Sequence, residues 1–140
     1  MEHSIIAQRE QSDFEDIFNH QIDQINSPEL TEGQIQAISL LCGSEVLIAA
    51  LELLDLKLVR RLLAIKNGTM IYEIHGNEAV YHVQIGLRNS CNCKTFLDRV
   101  IINSYQLVCS HLLAVKIGTK INSIETQEIS METLVNIFDS

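Results

Sequence analysis

The apolar positions change their period twice along the chain. From Ser12 to Ile25 they recur at helical spacing, with Phe14, Ile17, Phe18, Ile22 and Ile25 on one face. Ser12 is the expected cap, and Asp13, Glu15 and Asp16 suit the positive end of the helix dipole. Asn26-Ser27-Pro28 breaks the pattern. Ser27 reads as a cap, with proline at the first position of a second helix carrying Leu30, Ile35, Ile38 and Leu41. Gly43-Ser44 ends that helix and caps a third, from Glu45 to about Leu56.

The period then shortens. Leu58 to Lys66, Thr69 to His75 and Ala79 to Leu87 read as three strands. Asn67-Gly68 between the first two is a strong hairpin signal, and Gly76-Asn77 separates the second from the third. In the third, Tyr81, Val83, Ile85 and Leu87 alternate with His82, Gln84 and Gly86, as in a half-buried strand. The helical period returns in three short pieces. Phe96 to Ile102 is a helix or helical turn closed by Asn103-Ser104, and His111 to about Ile117 is a helix stopped by Gly118. Ile129 to Phe138 sets Met131, Leu134, Val135 and Phe138 on one side. Residues 119–128 read as a polar connector. The predicted class is α+β: N-terminal helices, a three-stranded antiparallel meander, a metal-sized knot and C-terminal helices.

A chain of 140 residues with 46% hydrophobic content can bury a core of its own, so neither metal nor disulfide is demanded by size. The N-terminal stretch has charges throughout and no secretory pattern, and the longest apolar run, Val46 to Leu51, cannot span a bilayer. The expectation is a reducing compartment, where four cysteines point to metal or chemistry before disulfides. The net charge of −8 is uneven. Residues 1–56 hold eleven acids and one base, whereas residues 57–120 hold nine bases and three acids. The acidity argues against a free-standing DNA binder, while the basic middle offers Arg60, Arg61, Lys66, Arg88, Lys94 and Arg99 as candidate phosphate contacts. Only Tyr81 and Phe96 are interleaved with them, which is thin stacking for a single-strand binder; solvated faces are the plainer reading.

Cys91, Cys93, Cys109 and His111 supply three thiolates and one imidazole, a complete tetrahedral set for zinc. Residues two apart do not face each other within a helix, so Cys109 belongs just before the helix and His111 in its first turn. The helix N-terminus then adds positive charge beside the thiolates. Phe96, Leu97, Val100, Ile101 and Leu107 can pack around the ion. A Cys91–Cys93 disulfide would be strained, and four unrelated buried side chains are the bland alternative. A catalytic zinc needs an open position, which four protein ligands do not leave.

The order C-x-C, strand hairpin before it, then C-x-H opening an apolar helix, resembles the SWIM-type zinc finger. Cys109-Ser110-His111-Leu112-Leu113-Ala114-Val115 is similar to its extended form, with Ala114 three residues after the histidine. That form, with Leu40-Leu41-Cys42-Gly43-Ser44 and Ala50-Leu51-Glu52-Leu53-Leu54-Asp55 upstream, resembles the small SWIM subunits of Shu complexes over residues 38–118. The acidic N-terminal helix departs from it. The resemblance implies one structural zinc and a non-enzymatic nuclear subunit. Its partner would be a RecA-fold recombinase paralog, and the pair would promote recombinase filament assembly in homologous recombination. DNA would be met through the complex, with no membrane or small-molecule substrate. The alternative is an autonomous nucleic-acid-binding finger of transposase or chromatin type; a SWIM adaptor in ubiquitin transfer would need a second cysteine-rich finger. The implied division is an acidic segment, 1–27, and one finger domain, 28–140, with its core at 79–118.

Among the remaining candidates, Cys42 reads as a small core residue. His75 and His82 are either partly exposed strand histidines or a second metal site across the turn. Phe14, Ile17, Phe18 and Ile22 are either core or a docking stripe for another chain. There is no phosphate-binding glycine loop, no nucleophile beside a base and no carboxylate pair on an apolar face, so no reaction is legible in the motifs.

Overall fold

A computed structural model describes residues 2–76, 78–86, 89–102 and 108–139. Three helices come first: α1 (Glu2–Asp23), α2 (Glu32–Cys42) and α3 (Ser44–Asp55). Strands β1 (Val59–Ala64), β2 (Thr69–His75), β3 (Val80–Gln84) and the two-residue β4 (Ser90–Cys91) follow. A π-helical segment (Phe96–Ile102), α4 (Ser110–Lys120), β5 (Glu125–Ile129) and α5 (Met131–Asp139) complete the order. The class is α+β, as the sequence predicts.

The sheet has five strands in the order β4-β3-β2-β1-β5, with β5 parallel to β1 and every other pair antiparallel. Its two faces bury different things. Val59, Tyr72, Ile74 and Val83 join the main core with Phe18, Ile22, Ile25, Ile38, Leu47, Ala50 and the apolar side of α4. Leu62, Ala64 and Ile71, on the opposite face, pack under Leu134 of α5. The strand period of two explains the assignment: even and odd positions of β1 feed opposite cores. Both faces of β1 are covered at its C-terminal end, where Leu62, Leu63 and Ala64 run without a polar residue, whereas Arg60 is exposed.

Several predicted boundaries are corrected. Ser12 lies inside α1, which begins at Glu2, so it is no cap. Neither Ser27 nor Pro28 opens α2. Thr31 does, with its hydroxyl accepting from Gln34 N at 3.1 Å and its own N–H donating to Gln34 Oε1 at 2.9 Å, a reciprocal capping box. Ser44 is the first residue of α3, and its Oγ meets Ser39 Oγ at 2.8 Å; the cap position is Gly43, whose φ of 90° suits glycine alone. The hairpin at Asn67-Gly68 is wider than a two-residue turn. Ala64 pairs with Thr69, and Gly68 N donates to Ala64 O at 2.9 Å. The Gly76-Asn77 turn falls partly outside the described residues, as do Leu87 and the Asn103-Ser104 break.

The polar connector predicted at residues 119–128 in fact holds the end of α4, a turn and most of β5, and Gly118 does not stop α4. The helix runs to Lys120 with Ile121 as its cap, and Asn122 just beyond sits at φ 57°. Ser123 N reaches Gly118 O at 3.0 Å and Asn122 N reaches Thr119 O at 3.3 Å, the double bond of a Schellman end. The end of α3 repeats it, with Lys57 at φ 56° and Leu58 N to Leu53 O at 3.0 Å. Gly118 serves close packing instead. A Cβ there would lie 2.7 Å from both Leu54 Cδ2 and Ile124 Cδ1, so glycine lets α4 approach α3 and the start of β5.

Candidate metal centre

Each ligand candidate is placed by a different device. Val83 pairs with Cys91, so the β3–β4 bridge fixes the first cysteine on the core face of the sheet. Asn92 turns the chain, its Oδ1 accepting from His82 N at 2.9 Å and its N–H donating to His82 O at 3.4 Å. Cys93 follows, and its Sγ accepts from Phe96 N at 3.3 Å as the π-helical segment begins. Cys109 occupies the N-cap of α4 with extended backbone, φ −84° and ψ 169°, and its Sγ accepts from Leu112 N at 3.4 Å. His111 stands in the first turn, as the spacing predicts. Its ring stacks on Tyr81, centroids 4.4 Å apart, which fixes its orientation.

The four donor atoms lie within 4.8 Å of one another, and Cys91 Sγ is 3.7 Å from His111 Nδ1. Zinc–sulfur bonds of about 2.3 Å in a tetrahedron set sulfur–sulfur edges of about 3.8 Å, so the cluster needs only slight closure to grip one ion. The three sulfurs are buried, as a structural site requires, and all described cysteines are free thiols. Two backbone N–H groups and the N-terminus of α4 already point at sulfur, so negative charge is catered for before the metal arrives.

The thiols are unequal without metal. Hydrogen bonds from Cys109 and then Cys91, helped by His111 and Phe96 N, hold Cys93 far below the usual thiol range. Cys91 is pushed far up by its hydrogen bonds with Cys109 and Cys93 and by burial. Cys109 is lowered by Cys91, but its bond to Cys93 and burial outweigh this and raise it to about 11. Zinc takes cysteine as thiolate, so loading a divalent ion expels the protons that the three sulfurs carry.

Ala114 is fully buried, one turn beyond His111. Ala114→Thr adds a branched, polar side chain to a closed interior and is expected to cost roughly 1–3 kcal/mol. The zinc content should stay normal while the melting temperature falls; an unchanged melt would show that the position has room.

The other candidates scatter. Cys42 is a buried core residue of α2, its thiol pushed up to about 12 by burial, and lies outside the donor cluster. Phe18 and Ile22 are core, whereas Phe14 and Ile17 are about half exposed. Arg60 and Arg61 project from opposite faces of β1. Arg60 Nη1 donates to Gln127 Oε1 at 3.4 Å; Arg61 donates to Tyr72 Oη at 3.2 Å and Thr126 Oγ1 at 3.1 Å. Arg60 and Arg61 therefore do not share one face of the sheet. Lys66 is exposed in the β1–β2 turn, Lys94 and Arg99 are exposed just before and within the π-helical segment, and Arg88 and Leu107 lie outside the described residues. Sequence reasoning passed over Lys116. It borders a cleft of about 260 Å³ between α1, α4 and the π-helical segment, lined also by Phe18, Phe96, Val100, Ile101 and Leu112. Desolvation holds its amine below the usual range, against the pull of Asp23. A single lysine between Val115 and Ile117 gives no signal in the pattern.

Residues 81–117 match the model of the SWIM zinc finger. The chain is 23% identical over 112 residues to Zinc finger SWIM domain-containing protein 7 of Mus musculus, covering 80% of this chain and 72% of that protein. The Homo sapiens protein of the same name is 23% identical over 111 residues, 79% of this chain and 78% of that one. No solved structure matches significantly. The matched segment spans β3, the π-helical segment and most of α4, and so contains all four converging donors. A SWIM zinc finger implies zinc, and the cluster can hold one ion.

Proposed function

From a chain that carries a SWIM zinc finger, we propose a non-enzymatic zinc-stabilised subunit of a Shu-type complex. Cys91, Cys93, Cys109 and His111 hold one structural zinc, and the ion keeps a protein-binding surface in shape. The partner is a RecA-fold recombinase paralog, the setting is the nucleus, and the pair promotes recombinase filament assembly in homologous recombination repair. The observation that carries the reading is the finger itself, seated in a chain of similar length to the SWIM-domain relatives it matches. The surface is consistent with a partner. Leu97, Ile101, Phe14 and Ile17 are exposed on the two elements that flank the cleft beside Lys116. The acidic balance of the chain favours contact through protein over autonomous DNA binding.

The test is affinity purification of the full chain from its source cells, wild type beside His111→Ala, with bound proteins identified and zinc counted. A RecA-fold partner held by the wild type and lost with the zinc in the variant is the expected result. Zinc without such a partner, together with salt-sensitive retention of nucleic acid, would replace this reading with the autonomous finger.

A further inference from the structure

The finger uses one face of the sheet; the other face carries a second set of metal-capable side chains. Glu73 and His75 are two apart on β2 and so share a face, and His82 lies directly opposite Glu73 on β3. Both histidines turn Nε2 onto the same carboxylate: His75 to Oε1 at 2.7 Å and His82 to Oε2 at 3.3 Å. The cluster is open to solvent without being loose. His75 is 47% exposed, Glu73 20% and His82 19%.

We propose that Glu73, His75 and His82 form a second, solvent-facing site for a divalent transition metal, with zinc as the fitting ion. Two imidazoles and one carboxylate are a three-ligand zinc set that leaves a fourth position for water. The strands set the spacing. Residues directly opposite have Cβ atoms about 5 Å apart and residues two along a strand about 7 Å, so three side chains can meet at one point above the sheet. The carboxylate now lies between the two rings. The three donors do not converge as they stand, so an ion entering there requires the side chains to rotate about backbone positions fixed by the β2–β3 pairing. The site shares no ligand with the finger: His82 projects away from the face on which its neighbour Val83 holds Cys91. Arg60 sits opposite Glu73 on β1, but its Nη1 is drawn to Gln127, toward the far edge of the sheet. An open site of mixed nitrogen and oxygen donors binds more weakly than the buried three-thiolate cluster, so the two load in order.

The full chain carrying zinc in its finger is titrated with zinc chloride, followed calorimetrically and by metal analysis. A second zinc is expected, weakened at least about tenfold by Glu73→Gln and abolished by His75→Ala with His82→Ala, the finger zinc being retained throughout. Cobalt gives an independent readout: its second equivalent should add no thiolate charge-transfer band. Loading that stops at the finger, or a second zinc bound as tightly by the double variant as by the wild type, would overturn the site. If the three residues only stitch β2 to β3, the variants lose stability and the wild type takes up no second ion.

Discussion

Cys109→Ser is expected to empty the finger of zinc and to unfold the segment built around it. The substitution is selective. Serine is a good N-cap, so α4 keeps its start, while a neutral hydroxyl replaces a thiolate that the metal requires. A structural zinc contributes on the order of 10 kcal/mol to folding, as much as the whole net stability of a typical domain. The damage should not stay local. Cys91, Cys93 and Cys109 belong to the main core with Leu112, Leu113, Val115 and Ile117 of α4. Zinc counting, circular dichroism and hydrogen exchange over residues 90–120 would follow the loss. His111→Ala should reach the same end, although that ring is only partly buried. A Cys109→Ser chain with a full complement of zinc would sink the four-ligand assignment.

Leu113→Ala should cost about 2–5 kcal/mol and leave the zinc in place. Leu113 is completely buried, two residues past His111, where α4 lies against α3. Truncation leaves a cavity that two capped helices and a sheet cannot easily collapse into. The expected record is a lower denaturation midpoint with an unchanged slope and an unchanged zinc count. Set beside Cys109→Ser, it separates packing from coordination on one helix. Wild-type stability in this variant would mean that α4 is held by the metal and not by its apolar side.

The candidate site was almost fully legible because its chemistry is written in residue types at fixed spacing. Cys109 before the helix and His111 in its first turn follow from helical geometry alone. Tyr81 against His111 was not foreseen: the stack joins residues thirty apart in sequence, and an alternating strand gives Tyr81 no mark beyond being apolar. The three central strands were found because each has at least one buried face. β5 was missed for the converse reason. Glu-Thr-Gln-Glu-Ile is exposed along nearly its whole length, and only its pairing with β1 makes it a strand. That pairing is long-range, so no local window contains it. The start of α2 was misplaced because Ser27-Pro28 presents a cap signal upstream of the Thr31–Gln34 box that is actually used.

The position of β5 also bears on how the protein emerges from the ribosome. Arg60 pairs with Glu125, and Ala64 with Ile129. Until those residues are made, β1 has β2 on one side and no hydrogen-bonding neighbour on the other. The strand left waiting is Val-Arg-Arg-Leu-Leu-Ala, apolar at four of its six positions. An open edge of that composition invites pairing with another nascent chain. The meander, the finger and α4 must all be synthesised before the edge is closed. A chaperone that shields β1, or translation fast enough to shorten the wait, would raise the yield of folded protein without changing a single contact in its final form.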